Sequence, residues 1–202
     1  MKASLVSFMV AICGVFGFAG GVAAQNALVN GNFSGDITTG WNQVAFQSGK
    51  AFDATNDCCA DAVAGSLRTV PTNNGNWTAI DQCAAFSQVS NHNFQFSAWV
   101  KITSVISPAQ LTNATVLAQF NTASDCINAT AVGPILTLGP SGLGMVAQPF
   151  TFYEYRARTT PVGAQYVHVS VSIRRGVSID ANFDHIFLGP DINDTVFAND
   201  FE

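Results

Sequence analysis

Hydrophobic and polar side chains alternate along several short stretches of the chain. From position 94 to 103, Phe, Phe, Ala, Val and Ile occupy every second position, and Gln, Ser, Trp, Lys and Thr lie between them. From 166 to 174, aliphatic residues alternate in the same way with Tyr, His, Ser and Arg. A period of two places successive side chains on opposite faces of a β-strand. Both stretches are therefore predicted to be half-buried strands.

Shorter runs extend this pattern over most of the chain. Further strands are predicted at 41–46, 65–70, 78–86, 114–121, 150–157 and 183–188. Clusters of Gly, Pro, Asn and Ser separate the runs, as turns do, and the Gly-rich stretch 135–145 is expected to hold a helical turn. About eight short strands joined by turns predict an all-β fold, a β-sandwich of the jelly-roll type.

Composition and charge narrow the classes of protein that fit this pattern. Charged residues make up 10 % of the chain, hydrophobic residues 48 %, and the mean hydropathy is +0.25. This combination excludes a disordered chain, which needs low hydrophobicity and high net charge. Eight Lys and Arg stand against thirteen Asp and Glu. No nucleic-acid partner is expected, because phosphate contacts require a cationic surface.

The first 24 residues have the pattern of a secretory signal peptide. Lys2 is followed by an uncharged, apolar run from 3 to 24 that ends in Val22-Ala23-Ala24, the small residues that a signal peptidase reads. An uncleaved anchor is the alternative. Cleavage would leave one domain over 25–190 and a short tail over 191–202. No later segment is long and apolar enough to span a bilayer, so the chain is expected to be secreted, periplasmic or at the cell surface, without a membrane partner.

Four cysteines follow the predicted signal. An even number in an exported chain indicates two disulfides in an oxidising compartment. Three pairings remain open, one of which joins two adjacent residues. A zinc site is disfavoured, because two of the cysteines are adjacent and no histidine lies near them in sequence. The four residues are Cys58, Cys59, Cys83 and Cys126.

Four segments, in this order along the chain, resemble one known family. They are Asn26-Ala-Leu-Val-Asn-Gly-Asn-Phe-Ser-Gly with the following Gly40-Trp41-Asn42, then Phe94–Lys101, then Pro161-Val-Gly-Ala-Gln-Tyr-Val-His-Val-Ser-Val, then Phe183-Asp-His-Ile-Phe-Leu-Gly. They are similar to the matching segments of CenC-type carbohydrate-binding modules, which are galactose-binding-like jelly rolls. The tail at 195–202 resembles the ending of many secreted bacterial proteins. The resemblance implies a bacterial jelly roll that binds carbohydrate.

The resemblance also implies a structural calcium ion. The family holds it with an opening Glu, a closing Asp and backbone carbonyls. Asp184 occupies the closing position, while Ser34 replaces the opening Glu and Asp36 lies nearby. Calcium takes six to eight oxygen ligands, preferably charged ones, so the missing Glu weakens this expectation. The alternative is that Asp184 only caps a loop through backbone hydrogen bonds.

One set of side chains is predicted to form an aromatic and polar platform for a sugar. Sugars present apolar C–H faces ringed by hydroxyls, so a binding site needs flat aromatic surfaces with hydrogen-bonding neighbours. The resemblance implies that the strands carrying the two histidines pair with each other. The alternatives are that a loop or the N-terminal segment covers this face, or that sugar binds at loop tips through Trp41, Phe46, Phe52 or Trp77. The predicted ligand-binding residues are Trp99, Tyr166, His168, Phe183 and His185.

Catalytic motifs are missing from the sequence. No G-x-S-x-G or H-E-x-x-H motif occurs, and the Asp residues near the cysteines show no recognisable glycosidase pair. The sequence therefore predicts a secreted, non-catalytic module with carbohydrate as its partner. The alternatives are a structural or interaction protein of the bacterial envelope without a sugar ligand, and a small glycan-active hydrolase. The sequence does not predict the oligomeric state.

Overall fold

The computed structural model describes residues 25–43, 48–60, 65–71, 76–86, 93–105, 112–126, 130–157, 159–174 and 179–191. The predicted signal and the end of the tail lie outside these residues. Within them, no helix is long and apolar enough to cross a membrane. The strands are β1 (Asn42–Gln43), β2 (Ser48–Asp53), β3 (Ser66–Pro71), β4 (Asn76–Ala85), β5 (Phe94–Val105), β6 (Thr112–Asn121), β7 (Ala131–Leu138), β8 (Ser141–Gly142), β9 (Gln148–Ala157), β10 (Tyr166–Arg174) and β11 (Ile179–Pro190).

The strands form two antiparallel sheets. The first sheet has the order β1-β4-β10-β6-β7, with β8 paired to β6. The second sheet has the order β2-β3-β11-β5-β9. The two sheets pack face to face through their apolar inner faces, which confirms the predicted all-β sandwich.

The helical turn predicted within 135–145 is wrong. Residues 131–138 form strand β7 at the edge of the first sheet, and the two-residue strand β8 follows. Gly133 and Pro134 obscured this strand in the sequence, because both residues weaken a strand pattern. An edge strand tolerates Pro, since one side of it needs no N–H donor.

The core fills the space between the sheets with alternate residues of the long strands. At one end of the sandwich three rings pack edge to face: Phe120 lies 5.6 Å from Phe86 and 5.4 Å from Phe94 between ring centroids. Strand β10 contributes four fully buried residues and β5 five residues that are at most 2 % exposed. These residues are Val167, Val169, Val171, Ile173, Phe94, Phe96, Ala98, Val100 and Ile102.

A bulge in β11 changes which residues of that strand point inward. Asp184 is paired with Trp99 and Phe187 with Ser97. Between these two pairs β11 contains one more residue than β5. His185 has a positive φ of 46° at the bulge. An extra residue shifts the alternation by one position. Before the bulge Phe183 is fully buried, and after it Ile186 is fully buried.

The segment before β1 docks against this bulge. The amide N–H of Ile186 donates to the carbonyl oxygen of Gly31 at 2.8 Å. Trp41 is 3 % exposed and donates its indole N–H to the carbonyl oxygen of Asn30 at 3.1 Å. Trp41 is therefore a core residue, and the loop-tip role considered for it is wrong.

Candidate functional site

The structure divides the predicted platform between two opposite surfaces. Tyr166 and His168 lie on the outer face of the first sheet, because they alternate with the buried valines of β10. Trp99 lies on the outer face of the second sheet. The expected pairing of β10 with β11 is wrong, since β10 pairs with β4 and β6. A single surface that holds both histidines is therefore not formed.

Phe183 does not line any surface. Its side chain is fully buried between the sheets and belongs to the hydrophobic core. The sequence pattern grouped Phe183 with His185, because both have odd numbers in an alternating run. The bulge breaks this alternation between the two residues. The prediction of Phe183 as a ligand contact is therefore wrong.

The outer face of the first sheet is polar. Nε2 of His168 lies 3.8 Å from Oδ1 of Asp81, which also accepts a hydrogen bond from Nδ2 of Asn42 at 3.0 Å. The nearby imidazole of His168 lowers the pKa of Asp81, and the hydrogen bond from Asn42 adds to this effect against the opposing effect of burial. These polar groups contact one another. Tyr166 provides one aromatic side chain on the same face.

The outer face of the second sheet carries a pair of aromatic rings on neighbouring strands. Trp99 of β5 is directly opposite Phe152 of β9, and their ring centroids are 5.2 Å apart at an angle of 47°. Phe152 is 41 % exposed, and Trp99 is partly exposed. Because β9 is the edge strand, the Phe152 side of the pair opens to solvent.

Polar and charged groups surround this ring pair. The ammonium of Lys101 lies 5.8 Å from the ring centroid of Phe150. On the other side of the rings, Arg156 donates through Nε to Glu154 at 2.9 Å. Gln95 donates to the same carboxylate at 3.5 Å. We call Trp99, Phe150, Phe152, Lys101 and Glu154 the aromatic face.

Most residues of this face were not predicted from the sequence. Phe150, Phe152 and Glu154 alternate with the inward-facing residues of β9. Their alternation predicted the strand, but the sequence does not show that β9 lies beside β5. Of the other loop-tip candidates, Phe52 is half-buried and packs against the core. Phe46 and the side chain of Trp77 lie outside the described residues.

A loop covers the other half of the same sheet face. The loop follows β2 at residues 54–60 and lies against β11, where the amide N–H of Cys58 donates to Oδ2 of Asp184 at 3.1 Å. Asn56 accepts a hydrogen bond from Nζ of Lys101 and donates to Oδ2 of Asp53 at 2.7 Å. The alternative of a covering loop therefore holds on the β11 side, while Phe152 on β9 stays 41 % exposed.

Buried polar groups fasten this loop to the sheet. Nδ2 of Asn182 donates to Asp53 at 3.1 Å and to Oγ of Ser66 at 2.9 Å. Burial opposes ionisation of Asp53, but hydrogen bonds from Thr55, Asn56 and Asn182 outweigh it and lower the pKa of Asp53 to about 2. Asp53 is therefore ionised at neutral pH and holds the base of the loop.

Asp184 holds the same loop from the side of the sheet. Its side chain is fully buried, Oδ2 accepts the Cys58 amide, and Oδ1 accepts the amide N–H of His185 at 2.7 Å. Burial raises the pKa of Asp184 to about 7, although both amide hydrogen bonds oppose the shift. The alternative of a loop-capping role for Asp184 is confirmed.

Both disulfides are formed in the structure. Cys58 pairs with its neighbour Cys59, and Cys83 pairs with Cys126. The second bond joins strand β4 to the segment after β6 on the first sheet. The prediction of two disulfides is confirmed, and the structure chooses among the three pairings that the sequence left open.

Potential metal ligands gather at the loop, but they do not fit calcium. Asp57, Cys58, Asp184 and His185 each place a ligand atom within 4.8 Å of the others. Both oxygens of Asp184 already accept amide hydrogens, and a sulfur and an imidazole are poor partners for an ion that prefers oxygen. Asp36 is not part of this group, and its carboxylate accepts the N–H and hydroxyl of Thr38. The calcium site expected from Asp36 and Asp184 is therefore not supported.

Comparison with known proteins shows the fold of the chain. The enzymatically active domain of tailspike protein 4 from bacteriophage CBA120 matches over 82 % of this chain at 16 % identity and a TM-score of 0.56. An arabinose-bound α-L-arabinofuranosidase, MgGH51, matches over 82 % at 12 % identity and a TM-score of 0.56. This chain spans 21 % and 26 % of those two chains. No family model and no curated protein matches the sequence.

A carbohydrate-binding module also aligns with this chain. TmCBM61 in complex with β-1,4-galactotriose aligns with 83 % of this chain and 99 % of its own length, at 11 % identity and a TM-score of 0.48.

Proposed function

We propose that the protein is an exported, non-catalytic carbohydrate-binding module whose aromatic face binds a sugar ring. The observation that carries the proposal is the ring pair of Trp99 and Phe152, which is partly open to solvent on an edge strand. The apolar C–H face of a pyranose packs against such rings without burying its hydroxyls. Exposed aromatic side chains on a monomer surface favour a binding role.

The polar neighbours of the rings supply contacts for the hydroxyls. Lys101 lies beside Phe150 and donates hydrogen bonds, and Glu154 accepts them near Phe152. Charged donors and acceptors bind hydroxyls more strongly than neutral ones. An aromatic floor with a cation on one side and a carboxylate on the other suits one or two sugar units in a shallow site.

The acidic group with the most altered pKa is unsuited to catalysis. Asp184 has a raised pKa, as the general acid of a glycosidase does. It is fully buried beneath the loop, and both of its oxygens are engaged by backbone amides. A substrate oxygen therefore has no path to it, which supports binding without hydrolysis.

The fold is compatible with this class of function. Similar folds occur in the arabinose-bound arabinofuranosidase and in the phage tailspike domain described above. A shared fold alone does not assign function, so the aromatic face carries the proposal. The two disulfides support export to an oxidising compartment.

A glycan array followed by calorimetry on the bound sugars tests the proposal. Trp99→Ala and Phe152→Ala are each expected to weaken binding about tenfold or more, because each removes half of the stacking surface. Tyr166→Ala is the matched control, since it removes an aromatic side chain from the outer face of the opposite sheet. This control is expected to retain binding.

Three results would contradict the proposal. Loss of binding in Tyr166→Ala with retention in Trp99→Ala would place the site on the first sheet. The absence of binding to any glycan, together with a protein captured through the aromatic face, would favour the interaction-protein alternative. Release of reducing ends from a polysaccharide would contradict the non-catalytic part.

A further inference from the structure

The adjacent cysteines and a histidine distant in sequence meet at one point on the second sheet. The sulfur atoms of Cys58 and Cys59 and a ring nitrogen of His185 all lie within 4.8 Å of one another. Asp57 belongs to an overlapping group of the same span that contains Cys58 and His185. Two sulfurs and an imidazole are therefore gathered where the loop meets the bulge of β11, and the Asp57 carboxylate lies beside the Cys58 sulfur and the imidazole.

The oxidised pair is unable to bind a metal through its sulfurs. In the disulfide each sulfur is bonded to the other, whereas the thiolate is the form that ligates metals. A phosphine or dithiol reductant supplies two electrons, the S–S bond breaks, and each sulfur takes up a proton. With a phosphine, the reductant takes an oxygen atom from water and becomes the phosphine oxide. The product is a pair of neighbouring thiols beside His185.

We propose that the reduced loop is a zinc-binding site formed by Cys58, Cys59 and His185, with Asp57 as the fourth ligand. Zinc favours four ligands in a tetrahedron and takes sulfur, imidazole nitrogen and carboxylate oxygen. Binding displaces the thiol protons into solvent. Asp57 is the carboxylate assigned because it is only partly buried, whereas the two oxygens of Asp184 hold the amides of Cys58 and His185.

Contacts other than the S–S bond also hold the loop against the sheet. Asp184 accepts the backbone amides of Cys58 and His185, so one buried carboxylate fixes both backbone positions. Asp57 accepts the amide N–H of Cys59 at 3.0 Å, which orders the turn between them. The loop is also fastened by Asn56 to Lys101. These contacts order the backbone of the loop, and zinc binding there does not require a sugar at the aromatic face.

Cobalt(II) is a suitable probe, because its bonds to thiolate sulfur give a charge-transfer absorption band. The full chain is reduced with a phosphine in the absence of air, its β-sheet circular dichroism is checked, and cobalt is added. One equivalent is expected to give the sulfur-to-cobalt band, and zinc is expected to abolish it by displacement. The oxidised protein is expected to give no band.

Variants distinguish metal binding at this site from metal binding by the other reduced cysteines. Cys83→Ser/Cys126→Ser is expected to keep the band, and Cys58→Ser/Cys59→Ser is expected to lose it. His185→Gln is expected to weaken binding about tenfold or more, because the histidine reaches the cysteines only in the folded chain. Equal affinity in His185→Gln, or a band that follows Cys83 and Cys126, would overturn the proposal. So would a reduced protein that loses its β-sheet spectrum and does not regain it with metal.

Discussion

The backbone amide of Cys58 donates a hydrogen bond of 3.1 Å to the carboxylate of Asp184, a residue 126 positions further along the chain. This contact fixes the loop at 54–60 onto strand β11. The loop covers the outer face of the second sheet over β11. Trp99 and Phe152, on which the proposed sugar site depends, lie beyond the loop and are partly exposed.

The burial of Asp184 predicts that stability falls as pH rises from about 4 to 7. Its pKa is about 7 in the folded protein against an ordinary value of 3.8, so the folded state binds more protons than the unfolded state in this range. The loss is expected to be on the order of 4 kcal/mol, measured by urea denaturation across the range. The loss of stability is complete above the pKa of Asp184 in the folded protein.

Asp184→Asn is the control for this dependence, because its amide does not ionise. The variant is expected to be less stable at low pH, since its NH₂ group replaces an acceptor that faces a backbone donor. Its stability is expected to change less between pH 4 and 7 than that of the unmodified chain. Identical pH profiles for the two proteins would show that another group causes the dependence.

The two disulfides are expected to contribute unequally to stability. Cys83 and Cys126 are separated by 43 residues, whereas Cys58 and Cys59 are adjacent. Closing a long loop removes entropy from the unfolded chain, so Cys83→Ala/Cys126→Ala is expected to cost about 4 kcal/mol. The bond between Cys58 and Cys59 closes no loop of that length, so Cys58→Ala/Cys59→Ala is expected to cost much less stability. Thermal or urea unfolding of both variants measures the difference, and equal losses would contradict it.

The positive φ of His185 predicts an unusual order of stability among variants at the bulge. At a φ of 46° a β-branched residue is strained and glycine is not. His185→Val is therefore expected to be less stable than His185→Gly by about 1–2 kcal/mol. His168 lies within the regular part of β10, and there the Val variant is expected to be the more stable of the two. Urea unfolding of the four variants measures both orders, and the same order at both positions would contradict the bulge.

Gly31 is expected to tolerate no side chain. A Cβ atom there would lie 2.1 Å from the carbonyl oxygen of Ile186, which belongs to the backbone of β11. Gly31→Ala is expected to destabilise the protein by about 1–3 kcal/mol, because the docked segment must move away from the bulge. Ser34→Ala in the same segment is exposed and is expected to change the stability by less than about 0.5 kcal/mol. Similar thermal midpoints for the two variants would contradict this account.

Local sequence pattern determined most of the strands of this protein. Alternation at 94–103 and 166–174 predicted β5 and β10 and the correct buried face of each. This works because the side-chain period of a strand is a property of the backbone, which the chain carries without its neighbours. The even number of cysteines likewise predicted two disulfides, and both are formed.

Only the tertiary structure decided which residues meet. Tyr166 and Trp99 have the same local pattern, yet they lie on opposite sheets, because strand pairing depends on contacts distant in sequence. The bulge at His185 placed Phe183 in the core, and no local pattern announced the extra residue. Adjacency in sequence argued against a zinc site at Cys58 and Cys59, while folding brought His185 beside them. Period is a local property of the backbone, whereas register, pairing and ligand clusters depend on the whole chain.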